Sequence, residues 1–294
     1  MLPGQASQTA HLAAMARARH QLLDGGRVFH DPLALRILGP TLAAELQAQP
    51  HQHESRWSRA FRGPLAARSR IAEDTLAEAV AAGATQYVVL GAGLDTFALR
   101  SAWPQGLARV FEVDHPATQN WKRQLAWDAN LSWPAAATLV PVDFAHDRLL
   151  DSLAAVGWRR DQPTVFAWLG VTIYLPRSTV LDTLGQLATG VAAGSVVVFD
   201  YVRRPALLDL PRRMALHLIA RRFARLGEPW QGYLSDWDIQ TLLPELGYTR
   251  FEVLNPAHIA RTLWASTPIP RSHKRFGGLF GGVVRAWTGP ANPG

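Results

Sequence analysis

The sequence predicts an α/β fold in which a mostly parallel β-sheet is covered by helices on both faces. Short apolar runs that read as strands recur between residues 86 and 201, and helical segments separate them. Such alternation is typical of parallel, doubly wound sheets. The chain has 294 residues and is 48% hydrophobic, which is ample for one sizeable core.

Each element is predicted from its local pattern. The five strands of the middle region are Gln86–Leu90, Arg109–Val113, Thr138–Val142, Thr164–Trp168 and Ser195–Tyr201. The helices before them are His11–Leu23, a short one beginning at Asp31-Pro32, and Ala66–Ala82, with Gln47–Glu54 as a loop. After them come a helix ending at Gly190, a basic helical segment Pro205–Leu226, a helix capped at Ser235–Asp238, and a strand Phe251–Leu254.

Composition excludes several classes of site and partner. The chain has no cysteine, so disulfides, thiolate metal sites and a cysteine nucleophile are excluded. It shows neither a signal-peptide pattern nor an apolar run of membrane-span length, so we expect a cytoplasmic protein without a membrane partner. The net charge of +7 comes almost entirely from arginine, but the arginines are scattered, which favours a solvated surface over a nucleic-acid partner.

Glycines and acids follow successive predicted strands. Gly91-Ala92-Gly93-Leu94-Asp95 comes directly after the first strand, where glycine lets the backbone turn tightly and approach a ligand. Alone, this loop is equally an ordinary strand-to-helix turn. Glu112 and Asp114 end the second strand, about 20 residues later, where a carboxylate can accept hydrogen bonds from ribose hydroxyls. Residues two apart in a strand share a face, so both acids are candidates.

The third strand end narrows the cofactor class. Asp143-Phe144 supplies a carboxylate and a ring, which suit the amine and the face of an adenine. A dinucleotide-binding loop requires a third glycine, and Thr96 stands at that position. The ordered set therefore favours an adenosine-containing cofactor other than nicotinamide dinucleotide.

Several segments together resemble the leucine carboxyl methyltransferase-like family of class I S-adenosylmethionine (SAM)-dependent methyltransferases. The likeness covers roughly residues 10–254. The matching segments are Arg17-Ala18, His30–Ala34, Ala67–Asp74, Val89–Thr96, Phe111–Pro116, Val142–Phe144, Trp168–Val171 with Tyr174-Leu175, and Gly227–Trp230.

The resemblance implies a seven-stranded Rossmann-like methyltransferase sheet with added amino-terminal helices and a helical lid insertion. The domain boundaries that follow are an amino-terminal cap 1–82, a SAM-binding core 83–204, a lid 205–233, a core completion 234–267, and a flexible basic tail 268–294.

The resemblance also implies roles for site residues. Arg70 would bind the methionine carboxylate, a geometry that suits a bidentate arginine. Gly91 and Gly93 would lie under the methionine, Asp114 with Glu112 nearby at the ribose, and Asp143 with Phe144 at the adenine. The other expected cofactor contacts are Ala92, Asp95, His115, Trp168 and Leu169. Leu169 is a departure, because many family members have a glutamate there.

The chemistry expected is in-line transfer of a methyl group to oxygen, on a small acidic or hydroxylated acceptor. A carboxylate acceptor needs no base, whereas a hydroxyl acceptor can require one. The candidate catalytic residues are Tyr174, His115 and Arg17, with His20 as a further histidine. Arg203 and Arg204 are candidates, with Arg17, to face an acidic acceptor.

Three alternatives stay open: methylation of a protein carboxyl terminus, SAM binding without catalysis, and a nicotinamide oxidoreductase, which Thr96 disfavours. No metal site is expected, because His51 and His53 with Glu54 lack a third clear ligand for a cation.

Overall fold

The computed structural model describes residues 7–52, 54–100, 103–144, 146–263 and 281–289. The helices are α1 (Gln8–Asp24), α2 (Pro40–Ala48), α3 (Arg56–Ala81), α4 (Pro116–Asp128), α5 (Leu149–Ala155), α6 (Arg177–Thr189), α7 (Leu210–Arg225), α8 (Asp236–Leu246) and α9 (Pro256–Thr262). The strands are β1 (Gln86–Leu90), β2 (Arg109–Asp114), β3 (Ala137–Pro141), β4 (Thr164–Trp168), β5 (Val196–Arg203), β6 (Tyr233–Leu234), β7 (Tyr248–Leu254) and β8 (Gly282–Thr288).

The strands form one sheet in the order β3-β2-β1-β4-β5-β8-β7, with β6 attached to β5. Strands β1 to β5 pair in parallel, while β8 is antiparallel to both β5 and β7. The predicted α/β fold with a mostly parallel sheet is therefore confirmed. The path reverses at β1, which lies between β2 and β4, and ligands bind beyond the carboxyl ends of strands at such a switch point.

Helices cover both faces of the sheet because alternate strand residues enter different apolar clusters. In β1, Val88 and Leu90 pack on one side and Tyr87 and Val89 on the other. The first side is covered by α5, α6 and α8, and the second by α3 and α9. A third cluster joins α1, α2 and α4 around Leu94 of the glycine loop. No helix among the described ranges is long and apolar enough to cross a bilayer.

Two amino-terminal predictions were wrong in their boundaries. Asp31-Pro32 forms a turn, in which the Asp31 carboxylate accepts the Leu33 amide at 3.0 Å, and the next α-helix begins at Pro40 and takes in part of the predicted loop. Helix α3 begins ten residues earlier than predicted, because the Ser55 side chain caps it and Pro64 is accommodated inside it. This extra length carries α3 across the carboxyl ends of the strands.

The prediction of a flexible tail over 268–294 was wrong for residues 282–288, which form β8. Val283, Val284 and Ala286 are buried between β5 and β7. Residues 268–280 and 290–294 lie outside the described residues. The strand was missed because its seven residues stand between glycine-, proline- and arginine-rich stretches that dominate the local composition.

Candidate functional site

A cavity of about 1080 Å³ lies at the carboxyl ends of β1, β2, β4 and β5. Helices α1, α3 and α7 contribute further lining, together with the loops that follow β1, β3 and β4 and the segment 227–231. Ligand pockets usually measure roughly 300–1,000 Å³. The cavity therefore has the volume for a cofactor together with a second small molecule.

The glycine loop, residues 91–95, lines this cavity. Gly91 and Gly93 both have positive φ angles, of 66° and 50°. A Cβ on Gly91 would overlap the Cγ2 methyl of Val171, and one on Gly93 would lie 3.0 Å from the Ala10 Cβ. Both positions therefore require glycine, for backbone conformation and for close approach.

The two acids at the end of β2 have different surroundings. Asp114 lines the cavity, and its carboxylate accepts the Gly93 amide at 2.5 Å and the His115 amide at 2.7 Å. Burial is the main cause that raises the Asp114 pKa. Glu112 is instead buried in an ion pair with Lys122 at 2.6 Å and is not part of the lining. Of the two acids, Asp114 therefore reaches the cavity, whereas Glu112 has Lys122 as its partner.

At the ends of β3 and β4, too, some of the predicted contact residues line the cavity and one is buried in the core. Asp143, Phe144 and Leu169 line the cavity. Trp168, also predicted as a contact, is fully buried in the core and not in the lining, although its ring is 6.3 Å from the Phe144 ring. Asp143 lies 3.1 Å from His146, another lining residue. Of Phe144 and Trp168, Phe144 is thus the ring that a ligand in the cavity can reach.

The arginine of α3 that faces the cavity is Arg68, not Arg70. The Arg70 side chain is 48% exposed and pairs with Asp74 on the outside of the helix. Arg68 lines the cavity and donates to the Asp200 carboxylate at 2.7 Å. The other oxygen of Asp200, which lies in β5, accepts the Gly170 amide at 2.5 Å.

Sequence reasoning missed both Arg68 and Asp200, although each had a signal. Arg68 is three and four residues before the buried Ile71 and Ala72, so helical phase places it on the inner face and Arg70 on the outer one. Asp200 is an acid within β5, in the part of the strand that reaches the cavity, and it follows four apolar residues in the sequence. It brings a carboxylate close to Gly170, beside the position where Leu169 replaces the family's usual glutamate.

Helix α1 is attached to the glycine loop through Arg17. Its guanidinium donates to the Asp95 carboxylate at 2.7 Å and to the Leu94 carbonyl at 2.5 Å. Burial raises the Asp95 pKa, but the charges of Arg17 and Arg100 outweigh it and lower the pKa to about 2. Arg17 lines the cavity with its charge paired to Asp95, and its role in acceptor binding stays a prediction.

The amino-terminal end of α1 contacts Glu228. This residue lies in the segment Gly227–Trp230, which carries part of the family resemblance, but no role was predicted for it. This buried carboxylate accepts the Gln8 amide at 2.9 Å and the Thr9 hydroxyl, at the first turn of the helix. A negative charge is favourable at a helix amino terminus. Glu228 therefore joins α1 to the segment that follows α7, across the cavity.

The candidate bases have different surroundings, and of the three His115 and Tyr174 line the cavity. The His115 Nδ1 accepts the Ala117 amide at 3.2 Å and caps α4. Tyr174 lines the cavity, but burial above all raises its pKa to about 12, so it stays a phenol at neutral pH. His20 is buried between Asp24 and the Phe29 amide, away from the lining.

The remaining charged candidates lie outside the cavity lining. Arg203 pairs with Asp236 at 2.6 Å and Arg204 with Asp238 at 3.2 Å, so neither faces an acceptor there. His51 lies 3.4 Å from Glu54, whose carboxylate also bonds Arg62. His53 lies outside the described residues.

Helix α7 supplies one side of the cavity. Leu218, Ile219, Arg222 and Phe223 line it, and the Phe223 ring stacks on Trp230 at 5.2 Å. Arg222 has no hydrogen-bond or ion-pair partner among the described residues. In the same lining, Arg17 and Arg68 are paired with acids and Arg19 donates to main-chain carbonyls.

Comparison with known proteins agrees with this geometry. The sequence profile described as "Leucine carboxyl methyltransferase" matches residues 10–188, more than half of the chain. The Bacillus subtilis (strain 168) protein named "Putative S-adenosyl-L-methionine-dependent methyltransferase YktD" is 31% identical over 281 residues, which cover 88% of this chain and 91% of that protein.

Two solved structures share the fold. A "putative methyltransferase" from Thermobifida fusca YX has a TM-score of 0.54 at 17% identity, covering 98% of this chain and 97% of that one. A DUF574 family protein from Streptomyces avermitilis has a TM-score of 0.53 at 14% identity, covering 93% and 96%. The chain therefore belongs to the leucine carboxyl methyltransferase family and is a SAM-dependent methyltransferase.

Proposed function

We propose that this methyltransferase transfers the methyl group to an oxygen of a small molecule, and that the favoured acceptor is a carboxylate. The observation that carries the proposal is the composition of the α7 side of the cavity. It combines apolar and aromatic side chains with the unpaired Arg222, and its nearest phenol, Tyr174, is held protonated. Such a surface suits an apolar acid, which is ionised at neutral pH and needs no base.

The residues of the cavity fit SAM in each of its parts. Arg68 and Asp200 present opposite charges to a methionine carboxylate and ammonium, and Asp114 presents a carboxylate to a ribose. Asp143 and Phe144 present an acid and a ring to an adenine, above the floor that Gly91 and Gly93 leave open. Bound SAM supplies an electrophilic methyl group on its sulfonium.

The contribution of the chain is to hold and orient the two reactants. Helices α1 and α7 both line the cavity, and Glu228 ties α1 to the segment after α7. Arg222 would bind one acceptor oxygen and direct the carboxylate, which requires no proton transfer. Tyr174, as a phenol, can donate a hydrogen bond to the acceptor but cannot remove a proton from it.

The experiment is labelled-methyl transfer to an extract of the host, followed by mass spectrometry of the product. The expected product is a small methyl ester that mild base hydrolyses. Tyr174→Phe is expected to lower kcat by less than tenfold and to leave the pH profile between pH 6 and 9 flat. A base-stable ether product, or a Tyr174→Phe rate that falls about a hundredfold or more, would contradict the carboxylate assignment.

Two other outcomes of the same experiments would assign a different function. A labelled protein whose ester lies at its carboxyl terminus would identify a protein carboxyl methyltransferase. Tight SAM binding by calorimetry with no labelled product from any fraction would identify a binding protein without catalysis.

A further inference from the structure

Helix α7 carries large apolar side chains that face solvent. Leu210, Met214 and Leu218 are spaced four residues apart and lie on one face of the helix, and Leu207 precedes them; each is at least 58% exposed. The opposite face, with Leu216 and Ile219, packs on the protein. Contiguous exposed apolar residues of this kind mark interaction sites more often than ordinary surface.

The same face is cationic. Arg221 follows Leu218 by three residues and Arg225 follows Arg221 by four, so both lie on the same face of α7. Both are exposed and have no ion-pair partner among the described residues. Between residues 205 and 226 the sequence has five arginines and one acid, Asp209, which lies 3.4 Å from Arg212. We refer to Leu210, Met214, Leu218, Arg221 and Arg225 as the α7 face.

Charge limits what can cover the α7 face. The chain's own segment 264–280 contains Arg271, Lys274 and Arg275 and no acid, so it offers no negative charge to the arginines of the α7 face. A second copy that docked symmetrically would bring the same unpaired arginines against each other. A nucleic acid would satisfy the arginines but would leave the leucines and the methionine in water.

We infer that the α7 face docks on an anionic lipid surface. Amphipathic helices with leucine and arginine on the docking side insert their apolar side chains at the headgroup boundary, while the arginines bind lipid phosphates. Such a helix lies on the membrane surface and does not cross the bilayer. We expected no membrane partner because the sequence has no apolar run long enough to span a membrane, but surface docking does not require such a run.

The orientation of the docked protein follows from residues that the α7 face shares with the site. Leu218 lines the cavity, and so does Arg222 next to Arg221. Docking would therefore place the α7 side of the cavity against the lipid, where an apolar acceptor partitions. The docking itself does not depend on which acceptor is methylated.

Vesicle flotation of the full chain tests the inference. The wild-type protein is expected to bind vesicles of equimolar phosphatidylcholine and phosphatidylglycerol and to bind phosphatidylcholine alone much more weakly. Leu210→Ser with Met214→Ser, and separately Arg221→Gln with Arg225→Gln, are each expected to lower the partition coefficient roughly tenfold or more. These variants leave Leu218 and Arg222 in place, so each should bind S-adenosylhomocysteine like the wild type, which verifies its fold.

Matched control variants remove an exposed apolar side chain or two exposed arginines outside the α7 face. Trp127→Ser removes an apolar side chain that is 79% exposed on α4, and Arg123→Gln with Arg160→Gln removes two exposed arginines. Both should bind vesicles like the wild type.

Three results would overturn the inference: a wild type that ignores anionic vesicles, controls that lose binding as much as the α7 variants, or a serine variant that binds normally. A protein that ignores vesicles but shifts duplex DNA would assign the face to nucleic acid. Because no methyl transfer is measured, failure here is distinguishable from failure of the proposed acceptor chemistry.

Discussion

At the scale of single residues, Arg68 and Arg70 form a natural pair of test and control. Arg68→Gln is expected to weaken S-adenosylhomocysteine binding about 10- to 100-fold, the range of a charge-assisted hydrogen bond. Binding of 5′-methylthioadenosine, which lacks the amino acid, should not change. Arg70→Gln should alter neither, because Arg70 faces solvent and pairs with Asp74. Calorimetry with both ligands measures this, and weaker binding in the Arg70 variant alone would restore the original assignment.

The sequence predicts where a residue lies when the backbone alone determines its position. Residues directly after parallel strands gather at one sheet edge, which is why Gly91, Asp114 and Asp143 all line the cavity. The sequence does not predict a role that depends on the direction of a side chain. Glu112 shares a strand with Asp114, but the buried Lys122, from a helix whose packing the motif does not encode, pairs with it.

A second residue-scale prediction concerns Gly91. Gly91→Ala is expected to raise the Kd for S-adenosylhomocysteine at least tenfold, because the new methyl would displace Val171 and strain a backbone with φ of 66°. Gly83→Ala is the control, since its φ of 105° imposes strain but nothing lies within 4 Å of the new methyl. It should reduce the free energy of unfolding by about 1–2 kcal/mol and leave ligand affinity unchanged. Equal loss of affinity in both variants would contradict the close-approach argument.

At the scale of elements, α1 is held by acids that are distant in sequence. Asp95 binds it 78 residues away and Glu228 about 220 residues away, while Asp24 joins it to Arg62 of α3. The helix itself was predictable from local pattern, because caps and spacing are local. Its attachment was not, since these partners become neighbours only once the sheet has formed.

This attachment predicts a pH dependence. The Asp95 pKa falls from 3.8 to about 2 in the folded protein, so its contribution to stability is complete above pH 3.8 and is lost as the pH falls toward 2. Asp95→Asn is therefore expected to lower the free energy of unfolding at pH 7 by at most about 2 kcal/mol.

Urea unfolding at pH 7, 5 and 3 measures the difference between the Asp95→Asn variant and the wild type. That difference should be constant from pH 7 to 5 and smaller at pH 3. Asp161→Asn, in the exposed pair with Arg159, is the control and should match the wild type at each pH. A difference that grows with acid would contradict the ion-pair argument.

At the scale of the whole molecule, the order of strands and helices could be predicted from the sequence because each parallel strand is a short apolar run with its own turn signals. The antiparallel strand that completes the sheet could not be predicted. Strand β8 lies near the end of the sequence and pairs with β5 on one side and β7 on the other. Both partners are 28 or more residues away, and the intervening stretch is not rich in strand-forming residues. Only the buried Val283-Val284 pair marks it in the sequence.

Removing β8 is therefore expected to unfold the protein. A chain that ends at Leu263 would expose the inner edges of β5 and β7 and lose the hydrogen bonds that β8 makes to both. The two valines contribute about 1.5–3 kcal/mol each, and the two ladders add to this, against a total stability of about 5–15 kcal/mol. A chain that ends at Gly289 keeps the strand and should melt at the wild-type Tm, measured by circular dichroism. Cooperative melting of the shorter chain near that Tm would show that β8 is dispensable, and the sheet would then be stable with β5 and β7 unjoined.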